Sequence, residues 1–274
     1  FETVYGEADS PEALITEMRI AHALGEYERS QLFVDTPWKA YVQGNKRALT
    51  ESAKRGAILF FSPLEEGGAD CASCHSGDFF TDEDFHVMAI PQVGRGKGDG
   101  LTGTDDFGRF RETMELEDLY AFRTPSLLNV TVTGPWGHSG AYTTLEGMVR
   151  HTLNPAEAIA NYDWDQLDEY VATEYAAVNT QKALTRLIFN REAGIETVRA
   201  VDLTDAQVSD LLAFLDALTD PCVRDANCLD PWMPSMQEVD PDGLRIDAFL
   251  AQSEARALPS SRAVRVKPLV EEPL

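Results

Sequence analysis

The stretch ADCASCHSG, from Ala69 to Gly77, contains the pattern from which the fold class follows. Cys71 and Cys74 are separated by two residues, and His75 comes directly after the second cysteine. Such a C-x-x-C-H string is compatible with a zinc site, a disulfide, a redox dithiol, a covalently attached haem or chance. The rest of the chain has to distinguish these five interpretations.

Zinc and dithiol chemistry fit the string poorly. A structural zinc site needs four ligands, usually from two closely spaced pairs, and the remaining cysteines stand far along the chain at Cys222 and Cys228. The chain has only 5 histidines, so a zinc site is possible but strained. A thioredoxin-like dithiol needs a β-α-β context, and the flanking residues show no alternating strand pattern.

Covalent haem accounts for every member of the string. Two thiols add across the two vinyl groups of the porphyrin, and the adjacent histidine becomes the proximal iron ligand. An apolar segment just upstream, GAILFF, can form one wall of the haem pocket. The pattern favours one covalent haem c held by Cys71, Cys74 and His75. Because bacteria attach haem c outside the cytoplasm, we expect a periplasmic or otherwise exported protein.

Composition and charge limit the partners. The chain has 274 residues, of which 43% are hydrophobic and 25% charged, as in ordinary soluble globular proteins. Its formal net charge of −23 disfavours binding to nucleic acid and to anionic membranes. The sequence contains no apolar run as long as a membrane span. The charge suits a basic protein partner or a salty medium, and it is equally explained by a solvated acidic surface.

The second cysteine pair and the first residue of the chain bear on export and on proteolytic processing. Cys222 and Cys228 lie in DPCVRDANCLDP, a short loop bounded by prolines. In an exported protein this spacing favours a disulfide, and two unpaired cysteines are the alternative. The chain begins with Phe1 and has no signal-peptide pattern, so we expect it to be processed or cut from something longer.

Hydrophobic periodicity predicts a mainly α fold with long loops and an irregular C-terminal tail. A loop rich in glycine and aspartate is expected from Ser76 to about Asp118. Thr50 is a candidate N-cap, and Thr204 with Gln207 form a capping-box pattern. The predicted helices are 11–33, interrupted only at Gly25, 50–61, 144–153, 204–218 and a short one around 246–255 in the tail.

Several stretches then occur together in one order: FETVYG, KRGAILF, CASCHSG, DDFGRF, AFRTPSLLNVTVTGPWGHSG and TLEGMVRH. This combination resembles the C-terminal haem domain of bacterial di-haem cytochrome c peroxidases, whose superfamily includes the maturation enzymes of methylamine dehydrogenase. The resemblance covers roughly 1–219. The FRTPSL-N to H-x-G block is a far more specific signature than C-x-x-C-H alone.

The resemblance implies two cytochrome c-like domains, each with one haem, of which this chain matches the second. The matching haem would accept electrons from a small cytochrome or copper protein and pass them to a peroxide-reducing haem. It divides the chain into an inter-domain lead-in at 1–45, a cytochrome c-like haem domain at 46–220 and a proline-rich tail at 221–274. The usual N-terminal haem domain would precede Phe1. We therefore expect either a fragment or subunit of a larger enzyme, or a mono-haem derivative.

The resemblance also implies a calcium ion between the two domains. Two of its ligands would be the backbone carbonyls of Thr133 and Pro135. Carbonyl oxygens are suitable hard ligands whatever the side chain. The third protein ligand would come from the other domain, so this chain alone supplies an incomplete calcium site.

The distal haem ligand is where the family pattern breaks. Family members have Met or Tyr at the position that corresponds to Thr152, and a threonine hydroxyl is a poor iron ligand. Three alternatives stay open: His151, Met148 one turn earlier, or an open or water-bound iron. Helical geometry places His151 about 100° from Thr152, which argues against it, whereas the affinity of imidazole for iron argues for it.

Other residues have roles that the resemblance suggests. Arg109 and Arg123 are candidates to hold haem propionates, with an ordinary surface ion pair as the alternative for each. His138 is interpreted either as a hydrogen-bonding group near the haem edge or as a turn-stabilising residue. Trp136 can assist electron transfer or simply fill the core. His22 and His86 are interpreted as surface or packing residues.

Three hypotheses for function follow. The first is a haem c electron-transfer domain of a di-haem peroxidase-like oxidoreductase. The second is a mono-haem electron carrier or structural subunit that is not an enzyme, with the tail as its docking arm. The third is peroxide or oxygen chemistry at an open iron, with His151 or Glu146 as a base.

Overall fold

The structure is a computed structural model that describes residues 1–196 and 198–232. It confirms a mainly α protein. The helices are α1 (Glu2–Tyr5), α2 (Pro11–Leu14), α3 (Glu17–Ser30), α4 (Pro37–Val42), α5 (Glu51–Phe61), α6 (Phe110–Thr113), α7 (Leu145–Leu153), α8 (Pro155–Ala160), α9 (Ala176–Glu192), α10 (Asp205–Asp216) and α11 (Ala226–Leu229).

Two very short strands form the sheet found in the described residues. They are β1 (Phe85–His86) and β2 (Phe122–Arg123), which pair antiparallel with Phe85 opposite Arg123. They bring the loop after the C-x-x-C-H string against the FRTP segment. The predicted long loop is therefore interrupted by β1 and by α6.

The helix start signals are confirmed. The hydroxyl of Thr50 accepts a hydrogen bond from the amide of Ala53 at the start of α5, and both capping-box bonds between Thr204 and Gln207 are present. The single helix predicted for 11–33 is wrong. Thr16 takes an extended conformation and caps a second helix, whereas Gly25 continues that helix without a break.

The described residues divide into two compact units, one of residues 1–34 and one that begins at Asp35. The first contains α1 to α3. Helix α4 belongs to the second unit, where the ring of Trp38 packs edge-on to Phe214 at 5.1 Å. The predicted boundaries at 45 and 220 stay predictions. The helix predicted around 246–255 and the tail beyond Trp232 lie outside the described residues.

The core of the second unit is built on the pair α5 and α10. A β-carbon at Gly56 would lie 1.9 Å from the carbonyl oxygen of Asp210, so only glycine permits this approach of the two helices. Phe60 and Phe214 are buried at the contact, with ring centroids 5.0 Å apart. The apolar residues around them, together with those on one side of α7, are called the α5–α10 cluster; its buried members are Ala57, Phe60, Phe80, Val130, Val149, Leu153, Val208, Leu211, Phe214, Leu215 and Leu218.

Two further features concern the sequence predictions. Cys222 and Cys228 are joined by a disulfide that closes a short loop. In the ranges 1–196 and 198–232, every helix is too short or too polar to cross a bilayer.

Candidate haem-binding site

The turn after α5 places the C-x-x-C-H string against the core. The amides of Ala69 and Asp70 donate to the carbonyls of Leu59 and Ser62, at 2.7 and 3.0 Å. A β-carbon at Gly68 would lie 2.0 Å from the Ser62 carbonyl oxygen, so this fold-back requires glycine. The chain therefore leaves α5, reverses and presents the string beside the last turn of that helix.

The three haem-binding candidates come from one turn of backbone. Cys71–Ser73 form a 3-10 turn, and the amide of His75 donates to the carbonyl of Cys71 at 2.9 Å. The Cys71 side chain is partly buried against the α5–α10 cluster, and desolvation of its thiol raises the pKa to about 12. Both cysteines are free thiols in the structure, as thioether attachment to a haem requires.

The imidazole of His75 has the fixed ring orientation and tautomer that a proximal haem ligand requires. Its Nδ1 lies 2.9 Å from the carbonyl oxygen of Phe80, whose backbone takes a left-handed conformation with φ 53°. A carbonyl only accepts, so Nδ1 carries the proton and Nε2 keeps its lone pair for a metal. Burial lowers the pKa of His75, partly offset by the Phe80 carbonyl, which favours the neutral ring.

These residues fit a covalent haem. Cys71 and the adjacent Ala72 pack against the α5–α10 cluster, which supplies the apolar surface that a porphyrin face requires. Phe60 and Phe80 stand edge-to-face in that surface, with centroids 5.9 Å apart. Two thiols, an oriented imidazole and an apolar wall are thus together, as the string predicts.

The second thiol has neighbours that sequence reasoning missed. Cys74, Asp82 and His86 place one potential ligand atom each within 4.8 Å of one another. His86 Nε2 lies 2.9 Å from an oxygen of Asp82, and Nδ1 lies 3.6 Å from the buried carboxylate of Glu196. His86 is therefore a partly buried, paired residue beside the string. The i, i+4 spacing of Asp82 and His86 was the available signal.

The distal candidates lie away from this wall. Helix α7 turns Leu145, Val149 and Leu153 toward the α5–α10 cluster, whereas Met148 packs against a separate cluster around Ile90. The Thr152 hydroxyl donates to the carbonyl of Val149 at 2.7 Å. The methionine alternative therefore has its sulfur on the other side of the helix.

His151 is engaged at both ring nitrogens. Nδ1 lies 2.7 Å from the Tyr142 hydroxyl, and Nε2 lies 2.8 Å from the carbonyl oxygen of Met88. The side chain is 0% exposed, and burial lowers its pKa to about 4. Both ring nitrogens of His151 thus have hydrogen-bond partners, and its role as a distal ligand stays a prediction.

The propionate candidates have other partners. Arg123 forms an ion pair with Glu83 at 2.6 Å, and the guanidinium of Arg109 stacks over the ring of Phe85 at 4.5 Å. Both lie next to the β1–β2 pair, on the Cys74 side of the string. For Arg123 the geometry matches the surface ion pair that was the alternative.

His138 ties two of the recognised stretches together. Its Nε2 lies 2.8 Å from Asp106 in the DDFGRF stretch, and its ring stacks on Phe122 at 3.8 Å. Although burial alone would raise the pKa of Asp106, the bond to His138 holds that pKa below its usual value. His138 acts here as a local organiser of the turn.

The calcium candidates stand in a tight turn. Thr133 ends a 3-10 turn, and a cis peptide joins Gly134 to Pro135. A cavity of about 590 Å³ lies elsewhere, between α7, α8 and the segment that leads into α10. It is lined by Tyr142 and Tyr162 among others, and none of the haem-binding candidates borders it.

The chain is similar in sequence and in fold to several known haem proteins. A methylamine utilization protein MauG of Methylophilus methylotrophus is 27% identical over 74% of this chain and 48% of its own length. The cytochrome-c peroxidase IdrP1 of Denitromonas iodatirespirans is 29% identical over 85% of this chain and 56% of its own. A solved MauG-like protein associated with microbial copper homeostasis superimposes with a TM-score of 0.55 and 26% identity, over 83% of this chain and 65% of that one.

The chain is similar over most of its length to members of the di-haem cytochrome c peroxidase superfamily. No family model matches it. The chain spans about half the length of the curated superfamily members it matches. The similarity therefore bears on the fold of this chain, and the activity of a whole di-haem enzyme belongs to the proposal that follows.

Proposed function

We propose that this chain is the haem c electron-transfer domain of a di-haem peroxidase-type oxidoreductase. It accepts electrons from a small cytochrome or copper protein and passes them to a second, peroxide-reducing haem. The observation that carries the proposal is the oriented imidazole of His75 within the C-x-x-C-H string, beside an apolar wall. The peroxidase names of several relatives support the reaction class.

Each residue has a defined part in this proposal. Covalently bound haem supplies a reversible one-electron iron couple. Cys71 and Cys74 would form the two thioether bonds, and His75 would be the proximal ligand. The Phe80 carbonyl fixes the tautomer and the ring plane of His75, and so raises its basicity as a ligand. The α5–α10 cluster excludes water from one porphyrin face, which affects the reduction potential.

Further parts of the proposal concern location and assembly. Haem c attachment and the Cys222–Cys228 disulfide both suit an oxidising compartment, which supports a periplasmic location as part of the proposal. The coverage of about half of each relative supports a second haem domain or subunit. The carbonyls of Thr133 and Pro135 would contribute to a calcium ion shared with it. Arg109 stays a candidate propionate contact.

Haem attachment tests the site directly. The full chain is produced in bacteria with the haem c attachment system, and its intact mass is measured under denaturing conditions. We expect the mass of one covalent haem. Cys71→Ala and Cys74→Ala should each keep only one thioether bond and show a shifted haemochrome band. Ser73→Ala, between the two cysteines, is the matched control. A chain that stays haem-free would contradict the proposal.

A second candidate function is favoured by one observation. Met148 packs against another cluster, and both ring nitrogens of His151 have hydrogen-bond partners, so neither side chain is free as a sixth ligand. On this alternative the iron is open and peroxide reacts at this haem. Electron paramagnetic resonance of the oxidised chain separates the two functions. A low-spin ferric signal means a six-coordinate electron relay, and a high-spin signal moves peroxide chemistry to this haem.

A mono-haem carrier or structural subunit is the non-enzymatic alternative. It predicts electron transfer with a donor protein but no consumption of peroxide, with or without a co-purified haem partner. Measuring peroxide consumption in the presence of a reduced donor distinguishes it from both other functions.

A further inference from the structure

A buried tyrosine and a buried histidine form a hydrogen-bonded pair outside the haem site. The hydroxyl of Tyr142 lies 2.7 Å from Nδ1 of His151. Tyr142 is 5% exposed and His151 is 0% exposed. Neither side chain has a part in the function proposed above.

The direction of this hydrogen bond is set by the other nitrogen. Nε2 of His151 lies 2.8 Å from the carbonyl oxygen of Met88, which can only accept. Nε2 therefore carries the proton, Nδ1 is an acceptor, and the Tyr142 hydroxyl donates to it. A phenol that donates to a neutral imidazole has a proton acceptor already in place, within the distance that proton transfer requires.

Aromatic rings continue from this pair in two directions. The rings of Tyr142 and Tyr162 are 5.3 Å apart, and those of Tyr162 and Trp164 are 4.6 Å apart. Trp164 is partly exposed. On the other side, Trp136 pairs with Tyr142 through two backbone hydrogen bonds of 2.8 Å. Trp136 packs against both the α5–α10 cluster and the cluster that holds Tyr142.

The rings of Tyr142, Tyr162 and Trp164 thus run from the buried pair to the protein surface, and Trp136 connects Tyr142 to the α5–α10 cluster through backbone hydrogen bonds and packing. Helix α7 separates the two ends, with Val149 and Leu153 on the haem side and His151 on the tyrosine side. The cavity of about 590 Å³ is lined by both Tyr142 and Tyr162, so a small molecule can approach the same rings.

We infer that Tyr142 is a redox-active tyrosine, with His151 as its proton acceptor, that connects the haem to electron donors at the Tyr162–Trp164 surface. The inference rests on the second candidate function in one respect: the one-electron oxidant is this chain's haem after its reaction with peroxide. The donors are small organic reductants, such as phenols, that reach the partly exposed Trp164.

The step balances as a proton-coupled electron transfer. Tyr142 loses one electron to the oxidised haem, and its O–H bond breaks. The proton moves to Nδ1 of His151 and forms an N–H bond, which leaves a neutral phenoxyl radical and an imidazolium. The imidazolium then donates from Nδ1 to the phenoxyl oxygen and from Nε2 to Met88. One electron from the reductant, through Trp164 and Tyr162, restores the phenol as the proton returns.

The radical can be generated without peroxide. The haem-loaded full chain is oxidised by a photogenerated ruthenium(III) polypyridyl complex, and the product is followed by transient absorbance and high-field electron paramagnetic resonance. We expect a neutral tyrosyl radical that is lost in Tyr142→Phe, which keeps the packed ring. Tyr170→Phe, at a tyrosine that is 82% exposed, should retain it. An unchanged radical in Tyr142→Phe would overturn the inference.

Two further readouts are independent of whether the phenylalanine variant folds. In the unmodified chain, D₂O should slow formation of the radical, because an O–H bond breaks in the step. His151→Leu should shift the largest g component of the radical, because the hydrogen bond to the phenoxyl oxygen is removed. No isotope effect, or an unshifted g component, would contradict His151 as the proton acceptor.

Repeating the experiment with one equivalent of peroxide separates the two proposals. The Tyr142 radical under both oxidants supports the inference and the peroxidase function together. The radical under light but not under peroxide supports the redox-active tyrosine and counts against peroxide chemistry in this chain. The absence of the Tyr142 radical under both oxidants overturns the inference alone, since haem attachment and spin state are measured separately.

Discussion

At the scale of single residues, the orientation of the side chains on α7 determines which of them could become a ligand of a haem iron. Met148 and His151 face the residues around Tyr142 and Tyr162, whereas Val149 and Leu153 face the α5–α10 cluster, the proposed wall of the haem site. Adjacent helical residues point about 100° apart, so one helix presents different chemistry to its two sides. The sulfur of Met148 is consequently a packing group.

The first prediction concerns that sulfur. We expect Met148→Leu to leave the ferric spin state and the optical spectrum of the haem-loaded chain unchanged, since the swap keeps the volume and removes only a thioether that faces another cluster. Electron paramagnetic resonance of the two proteins side by side makes the comparison. Conversion from low spin to high spin would identify Met148 as the sixth ligand and contradict the packing of its side chain against the cluster around Ile90.

At the scale of secondary-structure elements, the contact of α5 with α10 supports the haem-binding turn. Gly56 lets the α10 backbone approach, and the turn that bears Cys71 folds back on the end of α5. A change that separates the two helices should therefore affect both stability and haem attachment.

A second prediction tests that close approach. Gly56→Ala should lower the free energy of unfolding by about 1–3 kcal/mol or more, because the added methyl group meets the Asp210 backbone. Gly25→Ala in α3 is the matched control. Its new methyl group would meet only the flexible Arg29 side chain, and alanine favours a helix interior by about 0.5–1 kcal/mol. Urea unfolding of the variants measures both. Equal effects would show that helix propensity, not packing, sets the result.

A third prediction concerns acid stability at the same contact. Asp210 accepts two hydrogen bonds of 2.7 Å from Arg55 and one of 2.5 Å from Ser52, and chiefly the bond to Arg55 lowers the pKa of Asp210. Because the folded pKa is depressed, the stabilisation is present above the unfolded value of about 3.9 and is lost as the pH falls through the folded pKa.

Asp210→Asn should therefore reduce stability at neutral pH, and its difference from the unmodified chain should disappear in strong acid. Glu51→Gln is the control, because its ion pair with Lys54 is mostly solvent-exposed and should contribute little at any pH. Denaturant midpoints between pH 2 and pH 7 record the outcome, in roughly the range where carboxylates titrate. A stability difference that persists unchanged at the acid end would argue against the ion pair as its source.

At the scale of the whole molecule, the net charge of −23 creates a long-range negative potential. Such a potential steers oppositely charged partners and is screened by salt. Whichever haem ligation applies, an electron donor with a basic surface would meet the protein faster than an acidic one.

The fourth prediction follows from that field. Reduction of the haem-loaded chain by a basic cytochrome c should slow steeply as ionic strength rises, because the attraction that guides encounter is screened. Reduction by an acidic copper protein should show the opposite or no trend. Stopped-flow rates over a salt series give the comparison. A basic donor with a salt-independent rate would mean that the acidic surface does not guide docking.

The sequence by itself determined the α class and the helix caps at Thr50 and Thr204, and it predicts a haem motif at Cys71, Cys74 and His75. These depend on local rules: a hydroxyl that bonds to the third amide beyond it, and thiols and an imidazole fixed within one turn of backbone. The superfamily, too, could be identified from short stretches in order, because each stretch preserves local geometry.

Only the tertiary structure decided which face of α7 meets the haem wall, that His86 pairs with Asp82 and Glu196, and that Tyr142 donates to His151. Each of these depends on contacts between segments distant in the chain, such as the Met88 carbonyl that fixes the tautomer of His151. Helical periodicity places side chains around an axis, but the neighbouring elements determine what each side chain meets. For that reason the sequence alone points to the two cysteines and His75 as haem-binding candidates, whereas the tyrosine–histidine pair is visible only in the fold.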